Sequence, residues 1–253
     1  MVRFSIGDTV NAETTRNSLT FTPRFDFIDL QVIVAAYTGP NEREQHLAHT
    51  FGSMQWLWSE NDEFRFDQDS RELSHATFFV PRDSAPSPLC HRAPHEPQRL
   101  PGGLRADTAQ NFALPQATIF CCDPEAAELR CYRDLSVLDG EPGTLIGIAP
   151  DVGLLIKGGA VAGWSLTDPA RYLTDGFADP EATPPSHTTR LRLAECLNLV
   201  TAPLIGEVMD QDADTWHRLR AIERDLREQQ DDRNRAAIMH RVISRLIEDY
   251  ESY

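Results

Sequence analysis

The chain has 253 residues, of which 41% are apolar and 25% charged, an ordinary globular share that supplies a sizeable core and excludes global disorder. Its 39 acidic residues face 24 basic ones, for a net charge of −15, and Lys157 is the one lysine. That balance repels phosphate backbones and anionic lipid heads, so it speaks against a nucleic-acid or membrane-surface binder and suits an acidic face that meets a basic partner.

The preference for arginine over lysine is a habit of GC-rich bacterial genomes and marks no site. The start, MVRFSIGDTVNAETTR, has no apolar core of the kind a secretory signal carries. The longest apolar stretches, Leu30–Tyr37 and Val152–Leu166, are too short or too interrupted to span a bilayer. Five cysteines, with Cys121 and Cys122 adjacent, do not form a disulfide framework, so reduced thiols and a cytoplasmic location are expected.

In chain order, Val2–Ile6 and Ser18–Thr22 read as short strands, and Asp26–Tyr37 as a longer one rich in β-branched residues. Asn41 to Trp58 reads as a helix. Asn41 and Glu44 have the spacing of a capping box, and Leu47, Phe51, Met54 and Trp58 form one apolar stripe. Glu63–Asp67 and Leu73–Val80 read as strands joined by a polar turn. From Pro81 to Pro115 the chain holds seven prolines and the pair Gly102-Gly103, which predicts a long loop or linker.

Beyond it, Ala117–Cys122, Leu129–Tyr132, Thr144–Ile148, Val152–Ile156 and Ala160–Leu166 read as strands, with Lys157-Gly158-Gly159 as a hairpin turn. Thr167-Asp168-Pro169 reads as the start of a short helix. After the prolines of 180–186 the chain turns helical. Leu193, Cys196, Leu197 and Val200 form one stripe, and Pro203 interrupts or restarts the helix. Trp216, Leu219, Ile222 and Leu226 form a second stripe, and Ala236 to Tyr250 a third. The polar run 229–235 between the last two is either a solvated helix or a turn capped by Asp231 or Asp232.

The expected fold class is α+β, with mainly antiparallel strands in two lobes, one packed helix each, and a C-terminal helical tail. The expected division is a first lobe at 1–80, a linker at 81–115, a second lobe at 116–179 and a helical region at 186–253.

Four constellations have the residue types for chemistry or binding. Cys90, His91 and His95 bring thiolate and imidazole together in the proline-rich segment and could ligate zinc, with Cys121, Cys122 or Cys131 completing the set. The spacing fits no standard zinc module. Glu42, His46, His49 and Ser53, with Trp56 nearby, fall on the polar side of the first predicted helix, where they could hold a metal or a partner's carboxylate. The acidic run Glu60, Asp62, Glu63, Asp67, Asp69 and Glu72 offers a negative docking surface, or general acid/base carboxylates in Asp62, Glu63 and Asp67, while its spacing fails the EF-hand pattern. Cys121 and Cys122 point to opposite faces of a strand, and no nearby cation in the sequence activates either thiol.

The phosphate-binding, dinucleotide-binding, zincin and hydrolase-elbow motifs are all missing, although a Ser/His/Asp or Cys/His site assembled from distant segments needs none of them. The leading expectation is therefore a non-enzymatic binding protein without a cofactor. It would dock a basic protein through Asp62, Glu63, Asp67, Asp69 and Glu72 and through Trp216, Leu219, Ile222 and Leu226, as an adaptor, inhibitor or immunity-type partner does. The alternatives are a zinc enzyme built on Cys90, His91 and His95, and a homo-oligomer formed through 210–253.

Overall fold

A computed structural model describes residues 2–53, 61–86, 98–139 and 142–251, with Gln98 described for its backbone alone. The class is α+β, as expected: the described residues form two sheets and five α-helices, most of the helices in the C-terminal third. Among the described residues no helix is long and apolar enough to cross a membrane.

The larger sheet has ten strands. The hairpin β14 (Val152–Lys157) and β15 (Ala160–Thr167) lies at its centre. Its turn has positive φ at Gly158 and Gly159, as the sequence predicts. β15 pairs antiparallel with β12 (Glu128–Tyr132) and, at Ala160, parallel with Ser5 of β1 (Arg3–Ser5). β1 continues to β2 (Asn11–Thr14), and β2 to β10 (Leu104–Ala106). On the other side β14 pairs β13 (Thr144–Ala149), which pairs β9 (Gln98–Pro101).

β9 runs into β10 through Gly102-Gly103, so the ladder closes on itself. Gly102 N–H donates to Gly147 O at 3.3 Å on one side, while Gly103 and Thr15 exchange backbone hydrogen bonds of 2.8 and 3.2 Å on the other. A Cβ on Gly103 would lie 1.8 Å from Asn17 O, which is why this crossing takes glycine. β11 (Ile119–Cys122) and the short β8 (Asp83–Ser84) extend the sheet beyond β12.

The second sheet has six strands in the order β16 (Leu173–Thr174), β3 (Arg24–Asp26), β4 (Gln31–Val34), β7 (Leu73–Phe79), β6 (Glu63–Asp67) and β5 (Thr50–Gly52). The strands do not follow the lobes expected from chain order. β1 and β2 belong with the later strands, β16 returns to the early ones, and the proline-rich segment contributes β8, β9 and β10. Period-2 patterning fixes which face a residue takes and leaves its partner strand open.

Three local expectations are corrected. Asp26–Tyr37 is not one strand: β3 ends at Asp26 and β4 covers Gln31–Val34, because Asp26 Oδ1 accepts Ile28 N–H at 3.1 Å and Leu30 adopts φ 49°, turning the chain into a hairpin. Ser18–Thr22 is not a strand. The first helix, α1, spans Pro40–Ala48 from an N-cap at Gly39, without the capping box, and buries no residue; Phe51 lies in β5 instead. Met54, Trp56, Trp58 and Glu60 lie outside the described residues.

The core between the sheets is aromatic. Phe78 packs against Trp164 with ring centroids 5.1 Å apart, and Phe64, Phe66 and Phe112 continue the cluster. The same cluster takes in the helices, so the chain has one main core.

α2 (His187–Leu199) is capped by Ser186, whose Oγ accepts Thr189 N–H at 3.0 Å, and Pro203 restarts the chain as α3 (Leu204–Met209). α4 (Ala213–Glu228) and α5 (Arg233–Glu251) form a helical hairpin about the polar break, where Asp232 Oδ2 accepts Ser186 N–H at 3.1 Å and Oδ1 holds Arg235 at 2.7 Å. The predicted helix at Asp168 is a short 3-10 turn, Pro169–Tyr172. There Asp168 binds the Arg190 guanidinium through two 2.9 Å contacts.

Candidate functional site

The structure brings few of the sequence-predicted residues to an open surface. Trp216, Leu219, Ile222 and Leu226 are 8%, 0%, 2% and 2% exposed, and they pack into the main core. They serve the fold and offer no anchor to a partner, because the stripe is already covered. Trp216 Nε1 donates to Val208 O at 2.8 Å.

Asp62 and Glu63 are buried too, on opposite faces of the second sheet's edge region, and are not part of a solvated acidic run. Asp62 Oδ1 accepts Phe79 N–H at 2.8 Å; burial pushes its carboxyl up to about 7 against the nearby Arg133 charge. Asp67, Asp69 and Glu72 remain at the surface of the β6–β7 turn. Asp67 Oδ1 accepts the N–H groups of Asp69 and Ser70, and Glu72 accepts the Asn17 amide. The Ser70 hydrogen bonds hold Asp67 below the usual carboxylate range, so this turn carries its charge into acid.

Glu42, His46 and His49 do not converge. Glu42 accepts Thr38 N–H at 2.6 Å, and His49 is the exposed C-cap of α1. His46 turns inward to the sheet. Cys90, His91 and His95 lie outside the described residues. Among the described residues Cys121, Cys122, Cys131 and Cys196 form no disulfide, and burial pushes the thiols of Cys131 and Cys196 up. Among the described residues no group of three or more His, Cys, Asp or Glu side chains is placed to hold a metal.

Two surface features that sequence reasoning missed lie at the two ends of the helix α3. The first is a groove of about 770 Å³ between α2 and the β8–β11 edge. Phe120, Cys122, Leu191, Ala194 and Leu204 line it, with Arg192, Arg218 and Asn198 among the polar residues. Its volume is that of a small-ligand or peptide-anchor site. Leu191 is 37% exposed. The second is the corner between α3 and α4, where the exposed Glu207, Asp210, Asp212 and Asp214 flank Met209 in the chain, itself 53% exposed.

No arginine or lysine falls between 207 and 214, and none of these four acids is in an ion pair with a described base. Asp212 accepts Thr215 N–H at 3.0 Å, which holds its carboxyl low. α3 joins the two features: Leu204 at its start lines the groove, and Met209 ends it, a rise of about 8 Å. The sequence signal was the acid spacing at 207, 210, 212 and 214. The groove had none, because its walls come from separate segments, Ser84–Pro86, Phe120–Pro124 and the helices from Thr188 on.

No family model, curated protein or solved structure matches the chain.

Proposed function

We propose that the protein is a cytoplasmic binding module of bacterial type, an adaptor, inhibitor or immunity-type partner that docks a basic protein. The observation that carries this reading is the continuity along α3 of an apolar groove and an unneutralised acidic corner. More than half of the described arginines are held by carboxylates, Arg3, Arg105, Arg190, Arg192 and Arg235 among them, so the surface that remains for a partner is acidic. Acids that lack a local counter-charge steer a basic partner during encounter, and the groove beside Leu191 and Leu204 then buries an apolar side chain of that partner. The acidic turn of Asp67, Asp69 and Glu72 is a second negative patch on the same chain.

The test is capture of partners by the tagged full chain from its own cell extract, eluted in salt steps, with zinc quantified in each eluate. One basic partner is expected, released by moderate salt from the wild type and lost from the double variant Asp210→Asn/Asp214→Asn. In purified form the acidic variants should slow association, while Leu191→Asp should speed dissociation. A partner that binds both variants as it binds the wild type, or with no salt dependence, overturns the reading. One bound zinc with no partner would turn attention to Cys90, His91 and His95, and concentration-dependent sedimentation would favour self-association through 210–253.

A further inference from the structure

The outer face of the second sheet carries a cluster that partner binding does not use. β6 alternates Phe64 and Phe66 toward the core with Glu63 and Arg65 toward α1. On β7 the register shifts between Arg65↔His75 and Phe66↔Leu73, leaving Ser74 as the extra residue of a β-bulge. In an unbroken strand Ser74 and His75 would point to opposite faces. The bulge turns both toward α1, where the ring of His46 meets them. His46 Nε2 lies 2.7 Å from Ser74 Oγ, and the His46 and His75 ring centroids are 4.8 Å apart. Glu63 Oε1 holds His75 Nε2 at 2.9 Å, and Tyr37 packs edge-on against both imidazoles.

We propose that Ser74 and His46 form a nucleophile–base dyad that accepts acyl groups from small esters. Three observations support it. The contact has the length of a nucleophile–base hydrogen bond and joins residues 28 apart in sequence. Both side chains are half-buried, so they are packed in place and still reach solvent. Burial, followed by the charges of Arg65 and His49, lowers the His46 pKa against the opposing pull of Asp67 and Glu63, which keeps the imidazole neutral and able to take a proton at pH 7.

In the reaction Ser74 Oγ bonds to the acyl carbon and its proton passes to His46 Nε2. The ester C–O bond breaks, and the departing alkoxide takes that proton. Water then attacks the acyl-serine, gives a proton to His46, and releases the acid as Ser74 recovers its hydrogen. Arg65 donates to Thr50 O at 2.7 Å, and its charge beside His46 favours the oxyanion formed at each attack.

The experiment is labelling of the native full chain with a fluorophosphonate, in which Ser74 Oγ displaces fluoride from phosphorus and the proton leaves with it as hydrogen fluoride. The expected result is one adduct, mapped by mass spectrometry of the wild type to Ser74 and absent from heat-unfolded protein. Labelling should slow at least about tenfold in His46→Ala. Its rate should rise with pH to a midpoint below 6.5, the sign of a base with a lowered pKa. An unlabelled Ser74 in the folded wild type, an adduct at another serine, or a folded His46→Ala that reacts at the wild-type rate would each overturn the dyad.

Discussion

His75 Nε2 lies 2.9 Å from Glu63 Oε1, and neither side chain meets solvent to any extent. The other ring nitrogen, Nδ1, is buried without a hydrogen-bond partner. That pattern fixes the tautomer: Nε2 carries the proton and donates it to the carboxylate, and Nδ1 keeps a lone pair. Burial lowers the His75 pKa, and His46 is lowered beside it, so the folded protein resists protons that the unfolded chain accepts below about 6.5. The stability from these neutral rings is therefore complete above pH 6.5 and is lost as the pH falls toward the folded values. Urea midpoints measured from pH 8 to pH 5 should fall more steeply in the wild type than in His75→Asn, whatever the offset between them. Parallel profiles would refute the assignment.

Asp62 acts in the opposite direction. Burial raises its carboxyl to about 7 in the folded protein, against 3.8 in the unfolded chain, although the Phe79 N–H bond and Arg133 both favour the anion. The folded state therefore holds the proton more tightly. The stability it gains is fully present below pH 3.8 and is lost as the pH rises through about 7. Asp62→Asn keeps the acceptor for Phe79 N–H and removes the titration. Its melting temperature relative to wild type should rise between pH 5 and pH 8.5, by an amount on the order of a few kcal/mol in stability. A constant difference across that range would mean that the anion is solvated after all.

Much of the fold was legible because its signals are local. Glycine at 158 and 159 predicted the β14–β15 hairpin, and the three helical stripes of the C-terminal region each bury the predicted side. What stayed hidden depends on distant partners. Nothing near Ser5 announces Ala160, and nothing in the proline-rich segment announces that Gln98–Ala106 spans from β13 to β2. The sequence reads the acidic run as a negative docking surface because a carboxylate strand face usually meets water. Here α1 and Phe177 cover that face, and Glu63 pairs with Arg43 and His75 beneath them. The alternation Glu63-Phe64-Arg65-Phe66 was visible. The second cover, which makes both faces buried, was not.

The α4 stripe separates stability from binding. Leu219 and Leu226 are enclosed by the main core, so Leu219→Ala or Leu226→Ala should cost about 2–5 kcal/mol in unfolding free energy. At temperatures where these variants stay folded, partner affinity should match the wild type, in contrast to Asp210→Asn/Asp214→Asn, which should keep stability and lose affinity. Equilibrium denaturation and binding measured on the same preparations distinguish the two. A folded Leu219→Ala that loses the partner would return the tail stripe to the interface.

The closure of the larger sheet rests on a contact that a single methyl group would break. Gly103 and Thr15 exchange two backbone hydrogen bonds, and a Cβ on Gly103 would stand 1.8 Å from Asn17 O, with the Thr15 hydroxyl 2.9 Å away. The nearest obstacle is backbone, which cannot rotate aside as a side chain can. Gly103→Ala should therefore part β10 from β2, and since β2 carries β1 onto β15, the disturbance should spread to the paired Ser5 and Ala160. Gly158→Ala is the matched comparison. Its φ of +59° strains an alanine by about 1–2 kcal/mol, but a Cβ there meets nothing within 4 Å. Hydrogen exchange at the Thr15 amide, which donates to Gly103 O, should accelerate strongly in Gly103→Ala and stay near the wild-type rate in Gly158→Ala. Equal protection in both variants would mean that Asn17 can move aside, and that the ladder is held closed by its other strands alone.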